Sequence, residues 1–336
     1  MEILIEYLSN IGNQFIDPKK RVFVAYIGIS IFIAFLWFIL LRKYSLFAAF
    51  KKIFDKKIFF SKSAKSDYKV FLINQLIMMT ISPFLITQLT IATALYFYFH
   101  TIDLLSVGMF KETLPILVII AFTTFQFTID DFSKYIVHRF MHKWPILWSL
   151  HKVHHSATVL TPMTVFRTHP LEGIIFSLRS SITQAISISS FIFLFGDSVS
   201  LYTVLGVNIF VFIFNILGSN LRHSHVGIRY WTGVEYIFIS PAQHQLHHSI
   251  AREHHDKNFG AALAIWDYLF RSLHHSVEFE TLELGIEKNQ KDESHNLKDL
   301  YISPFIEIKN YFLRKFLKIK LKFSSINLKR RSLNEN

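Results

Sequence analysis

Cysteine is absent from this chain, which removes thiol nucleophiles, thiolate-held zinc, iron–sulfur clusters and disulfides from its chemistry. Charge is scarce as well. Asp, Glu, Lys and Arg make up 18% of the 336 residues, against about 25% in an ordinary soluble domain. Acidic residues are the rarer kind, 24 against 36 Lys and Arg, which leaves a formal net charge of +12. There is no repeat period and no low-complexity linker. No HExxH metalloprotease signature occurs, which counts against the commonest zinc hydrolase. A cleavable signal peptide is not expected either, because the first 21 residues are mixed polar and the first apolar run is long enough to remain as an anchor.

What the chain has instead is apolar length. Hydrophobic residues reach 51% and 36 of them are Phe. Five stretches approach the roughly 20 residues that a bilayer crossing needs: Val22–Leu41, Val70–Phe99 with Pro83 inside it, Leu114–Ile129, Ile174–Phe195 and Val199–Leu217. The cations sit beside these runs, as anionic lipid head groups favour, so nucleic acid is not an expected partner. Nine Lys and Arg against two acids lie between Arg42 and Lys69, which makes that connection cytoplasmic by the positive-inside rule. One crossing per stretch then returns the polar segments after His138 to the cytoplasm. A hairpin in Val70–Phe99 would reverse that parity; the charge bias favours a single kinked or tilted crossing. The segment Phe305–Phe323 places Phe305, Ile308, Phe312, Phe316 and Ile319 on one helical face and predicts an interfacial amphipathic helix.

Histidine is the other excess. Fifteen of 17 lie between His138 and His275, and three groups have ligand spacing: His138 and His142; His151, His154 and His155; His244, His247 and His248. Residues three and four apart share a helix face with Cβ atoms about 5–6 Å from one another, and imidazole suits Fe, Zn, Cu and Ni. Eight imidazoles are too many for one ion and suit two. Ser240 as N-cap, Pro241 at the first helical position and Gln243 as the return partner predict a capping box for the third group. Asp131 and Tyr135 continue the His138–His142 stripe at helical spacing, and Asp131 is a candidate acceptor for a ring N–H. The pairs His254–His255 and His274–His275 lack this spacing and read as surface residues, and His295 belongs to no group.

Taken together, Asp131-Phe-Ser-Lys-Tyr-Ile-Val-His138-Arg-Phe-Met-His142, His151-Lys-Val-His154-His155, His223-Ser-His225, Ser240-Pro-Ala-Gln-His244-Gln-Leu-His247-His248 and Asn258-Phe-Gly260 through Trp266-Asp267-Tyr-Leu-Phe270 resemble the fatty acid hydroxylase / sterol desaturase superfamily over about residues 70–272. The resemblance implies an all-α integral membrane protein, a bundle of about four to five transmembrane helices with a cytoplasmic histidine-rich helical cap over a di-metal site. It implies two iron ions, with zinc as a possible substitute on purification, and O₂ as co-substrate. The partners are a lipid from the bilayer and a separate electron donor, cytochrome b5-like, ferredoxin-like or a reductase, because no fused cytochrome b5-like domain is recognisable. By residue-wise match the metal ligands are His138, His142, His151, His154, His155, His244, His247 and His248, with His223 at the family's isolated histidine. His225, where relatives often carry Asn, Asp131, Tyr135, His169 and Asn258 are candidates for ligation or outer support, and Arg167 falls in the same matching stretch as His169. Phe270-Arg271-Ser272 departs from the family's Phe-Gly-Thr ending.

The chain therefore divides into an anchor and basic loop at 1–69, a catalytic domain at 70–275 and a basic tail at 276–336. The expected activity is O₂-dependent hydroxylation or desaturation of a sterol, fatty acyl or related lipid, in a bacterial inner membrane in preference to the endoplasmic reticulum. A histidine-rich metal transporter and a membrane zinc hydrolase are the competing readings. Transporters place polar ligands within their spans near the bilayer midplane, whereas these histidines lie beside them.

Overall fold

A computed structural model of the protein describes residues 1–196, 199–204, 207–276, 282–286 and 295–334, with side chains through residue 322. In chain order its helices are α1 (Glu2–Ile16), α2 (Val24–Leu36), α3 (Leu46–Ile53), α4 (Lys56–Phe59), α5 (Lys62–Ile81) and α6 (Gln88–Phe99). Then come α7 (Pro115–Lys143), α8 (Pro145–His155), α9 (Pro170–Phe195), α10 (Ile209–Ile216), α11 (Thr232–Glu235), α12 (Pro241–His247), α13 (Ile265–Leu269) and α14 (Leu297–Asn334). Proline opens α7, α8, α9 and α12. At the first helical position its missing N–H costs nothing and its fixed φ is already helical, so the chain starts each of these helices at a defined residue.

Four segments have the length and composition to cross a membrane: Val24–Leu41, Lys62–Phe99, Pro115–Lys143 and Pro170–Phe195. Only 11–33% of each apolar window is buried within the protein, so their side chains face outward and need lipid to cover them. The first ends in a π-helical turn over Trp37–Leu41. The second bends at a 3₁₀ turn over Ser82–Phe84, where Pro83 interrupts the helix. Past that bend α6 packs along α9, while α5 packs on α1 and on the turn Pro162–Phe166. The two halves thus pack against different helices on either side of the bend.

The fifth stretch is a correction. Among its described residues Val199–Leu217 is not one spanning helix, yet it returns the chain from the end of α9 to His223, beside His154 of α8. Thr203–Val204 pairs antiparallel with Val207–Asn208, and among the described residues only α10, eight residues long, is helical. Hydropathy is high throughout, but Asn208 accepts from Phe210 N at 3.0 Å and starts the helix there. Gly218, at φ +103°, stops it. The strands are tied to the middle of α7, where Tyr202 N donates to Thr123 Oγ1 at 2.9 Å and Asn208 Nδ2 to Thr123 O at 3.1 Å.

Two apolar clusters anchor the polar half. Ala34, Ile53, Leu221, Val226 and Ile228 join α2 and α3 to the loop that follows α10. Val70, Val153 and Leu300 join α5, α8 and α14. Burying a Val or Leu side chain contributes about 1.5–3 kcal/mol, so these contacts hold α8 and the 221–228 loop in fixed places. The region 276–336 is not wholly a free tail: α14 begins against α8, with Lys152 paired to Glu307 and His169 edge-on to Phe305 at 5.2 Å. Farther along, Phe312, Phe316 and Ile319 are more than half exposed, which suits the interfacial role expected of this face.

Candidate metal centre

The nine histidines matched to the boxes converge into two groups. His138, His142, His151, His155 and His247 form one, and His154, His223, His244 and His248 the other; within each group the ligating nitrogens lie within 4.8 Å of one another. His138 and His142 come from the last turns of α7, and a turn at Trp144 brings α8 back against it. The second box occupies the last turn of α8. His154 and His155 are adjacent in sequence and so project at different angles, which sends one to each group. The third box ends α12, where the expected capping box forms: Gln243 N donates to Ser240 Oγ at 3.1 Å and Ser240 N to Gln243 Oε1 at 2.9 Å. His223 arrives on irregular backbone after Gly218, where an added Cβ would meet Leu221 Cδ1 at 2.8 Å.

Hydrogen bonds fix the tautomers of three rings in the five-histidine group. A neutral imidazole that donates through Nδ1 has its lone pair on Nε2. His138 Nδ1 faces Phe259 O at 2.8 Å, His247 Nδ1 faces Lys257 O at 2.7 Å, and His151 Nδ1 faces the Glu172 carboxylate at 2.7 Å. The three Nε2 lone pairs thus point at one another, 3.1 Å from His138 to His151 and 3.0 Å from His138 to His247. Two lone pairs cannot share a hydrogen bond; a cation between them removes the repulsion. Nitrogens about 2.1 Å from one ion are roughly 3.0 Å apart at right angles and about 3.4 Å apart in a tetrahedron, so the spacing fits more than four ligands. His142 Nε2 and His155 Nε2 are buried with no hydrogen-bond partner. Solvent or protein would satisfy such atoms elsewhere, and here a metal ion would. The residues fit the group that the resemblance implies.

The four-histidine group has different surroundings. His223 Nε2 lies 3.1 Å from His154 Nε2 and 3.0 Å from His244 Nε2, but the outer nitrogens of His223 and His244 face guanidiniums, Arg21 at 3.0 Å and Arg222 at 3.3 Å. Burial lowers the Arg222 guanidinium to about 10 against the pull of Asp131. Both nitrogens of His248 are buried without partners. Burial is also the main reason that the His154, His155, His223, His244 and His248 rings are driven well below their usual value. His247 is lowered to about 3, with burial again dominant and Lys257 O pulling the other way. The rings are therefore neutral at pH 7, the form that binds metal.

The other sequence candidates lie outside the two groups. Asp131 does not accept from an imidazole N–H of either group. Its carboxylate takes Ala262 N at 2.8 Å, Leu263 N at 3.1 Å and Trp266 Nε1 at 2.9 Å. Asp267 takes Phe259 N at 2.9 Å, Gly260 N at 2.7 Å and Ser272 Oγ at 2.6 Å. The two acids clamp the loop whose carbonyls orient His138 and His247, so Asp131 acts through backbone. Tyr135 bonds Ser272 at 3.0 Å and Arg139 at 2.6 Å. Asn258, at φ +56°, ties Gln243 O to the backbone of His274. His169 caps α9 and faces Tyr301 O. His225 Nε2 donates to Lys52 O at 2.8 Å, away from both groups. Two histidines taken as peripheral are buried: His254 meets His274 edge-on at 5.2 Å, and His295 bonds Arg167 at 2.9 Å. Arg167 itself, fully buried, pairs with Asp67 at 3.0 Å and donates to Val153 O at the end of α8.

Glu172 went unseen in the sequence. Its only signal is an acid in the first turn of an apolar helix, two residues after Pro170, where the positive helix end favours a carboxylate.

Residues 123–272 match the profile of the fatty acid hydroxylase family. Among curated proteins the chain is 28% identical over 160 residues to ornithine lipid hydroxylase OlsE of Rhizobium tropici, covering 47% of this chain and 43% of that one. It is 31% identical over 140 residues to alkylglycerol monooxygenase of Danio rerio, covering 42% and 28%. It is 30% identical over 131 residues to the Delta(7)-sterol 5(6)-desaturase erg3C of Aspergillus fumigatus, covering 35% and 39%. The chain thus spans less than half the length of these relatives. No solved structure matches it. Helical fold, histidine boxes and these matches agree in their direction: over residues 123–272 the chain is similar to the fatty acid hydroxylase family.

Proposed function

We propose that this protein is a membrane-bound di-iron oxidoreductase that uses O₂ and electrons from a separate donor to hydroxylate or desaturate a lipid. The observation that carries the reading is the convergence of nine imidazoles, seven of them in buried residues, into a five and a four, in a chain whose relatives are named as lipid hydroxylases, monooxygenases and desaturases. His138, His142, His151, His155 and His247 would hold one ion and His154, His223, His244 and His248 the other. When bound, the pair would supply the redox chemistry that no side chain can, activation of O₂ against an unactivated C–H bond. The chain's own part is to fix the rings. Glu172, Phe259 O and Lys257 O set the tautomers of His151, His138 and His247, and burial keeps His154, His155, His223, His244, His247 and His248 neutral. Five imidazoles in one group exceed the four ligands of a zinc hydrolase site. The basic connection from Arg42 to Lys69 supports a cytoplasmic site, where a soluble electron donor has access.

The test is turnover under isotopically labelled dioxygen, with purified protein, total membrane lipid and a reductant. Label entering a lipid, or a new double bond with matching O₂ consumption, is the expected result. Folded, metal-loaded protein that consumes no O₂ with any lipid fraction would refute it.

A further inference from the structure

A cavity of about 980 Å³ is lined by residues that neighbour the four-histidine group in the chain. Three chain segments that carry this group also build its wall: Thr158–Leu160 shortly after His154, Ser224 and His225 after His223, and Ala242 and Gln245 either side of His244. Another part comes from the end of the first candidate span, where the π-helical turn contributes Trp37 and Leu41. Such turns recur at functional sites because they re-aim side chains off the regular helix. The position is the bilayer–water boundary. Trp231, 86% exposed, stands in the same wall, and Trp settles at that boundary because its ring is apolar and its N–H polar.

The charge in this cavity has one sign. Arg42 and Arg229 line it, and no Asp or Glu does among the described residues. Arg229 is held by a bond from its Nε to Ser276 Oγ at 3.2 Å. Leu41, Ile58, Leu160, Leu282 and Leu284 supply apolar surface between the arginines. Two guanidiniums beside an apolar wall suit an amphiphile with an anionic head, since guanidinium forks match carboxylate and phosphate oxygens. Resting on the oxidoreductase reading above, we propose that this cavity binds the head of the lipid substrate, and that the head is a carboxylate or phosphate ester held by Arg42 and Arg229.

Binding can be read without turnover, because Trp37 and Trp231 line the cavity and bromine quenches indole fluorescence. The full-length protein, in discs of neutral lipid, is titrated with a brominated fatty acid, a brominated phosphatidylglycerol and a brominated monoacylglycerol. The acid and phosphatidylglycerol arms separate carboxylate from phosphate; saturable quenching by either, about tenfold tighter than by the neutral probe, is the expected result, and high salt narrows the gap. Arg42→Gln with Arg229→Gln abolishes the preference, each arginine contributing up to about fivefold. Arg42 is exposed, so Arg42→Glu provides a charge reversal with little risk to folding. Trp37→Phe with Trp231→Phe removes the signal.

Equal binding of the neutral probe, a preference untouched by the arginine variants, or quenching that survives the tryptophan variants would overturn the proposal. Oxidation of lipids with no anionic preference would refute the cavity and leave the oxidoreductase reading standing. Selective binding without any O₂-dependent turnover would do the reverse.

Discussion

Glu172 is the residue whose loss separates the two histidine groups most cleanly. Its carboxylate is 3% exposed and 2.7 Å from Nδ1 of His151, itself 4% exposed, and its only described partner is a ring of the five-histidine group. Glu172→Gln keeps an acceptor for the Nδ1–H and so keeps the tautomer, but removes the negative charge. Outer partners of metal-ligating imidazoles contribute about 10–100-fold in affinity, or about 1.4–2.7 kcal/mol. Glu172→Leu removes the acceptor as well and leaves a buried N–H unsatisfied, which costs a further 1–3 kcal/mol or so. The expected order of affinity is therefore wild type, then Gln, then Leu. The assay is competition for Co²⁺ or Zn²⁺ against a chromophoric chelator, with helical content checked by circular dichroism. Wild-type protein should take up two unequal equivalents, the tighter one in the five-histidine group, because three fixed lone pairs and an anion serve that group while Arg21 and Arg222 face the other. Glu172→Gln should weaken the tighter equivalent and leave the second within about threefold. If both equivalents weaken alike, or neither does, the assignment of tautomers from these hydrogen bonds is wrong.

Acid should destabilise the metal-free protein. His247, at about 3 when folded against about 6.5 when unfolded, binds its proton more readily in the unfolded chain. The stability it contributes is fully present above pH 6.5 and is lost as pH falls toward 3, at about 1.4 kcal/mol per pH unit; thermal midpoints in detergent at pH 7 and pH 5 should differ, and equal midpoints would contradict the burial of these rings. Arg167→Met leaves the Asp67 carboxylate, 0% exposed, without its cation and should cost about 3–5 kcal/mol, measured by chemical denaturation. Gly260→Ala drives a Cβ to 2.4 Å from Leu263 O; about 1–3 kcal/mol of strain should appear as a lower melting temperature together with weaker metal retention, since Phe259 O orients His138. Reporter fusions after Ser156 and Ser276 should both read cytoplasmic, and an external reading at either would reverse the assigned orientation.

The site was legible to the extent that its information is local. Box spacing is a property of one helix turn, so His138 with His142 or His244 with His247 and His248 can be read in a linear string, as can the Ser240 capping box. His223 has no spacing partner, and only its match to the superfamily pointed to it. The number of long apolar segments was equally visible, but the fate of Val199–Leu217 was not, because hydropathy carries no term for the Asn208 cap or for the bonds to Thr123.

What the tertiary structure decided is which groups meet across the chain. Glu172 reaches His151 because α9 returns beside α8, and the carbonyls of Lys257 and Phe259 face His247 and His138 only once Asp131 and Asp267 have clamped their loop. The division of nine rings into five and four arises where α7, α8, α12 and the His223 loop bring residues far apart in sequence together. Asp131 shows the boundary plainly. Helical periodicity placed it on the correct face of α7, but the partner on that face is a backbone loop more than a hundred residues downstream, which no local pattern could supply.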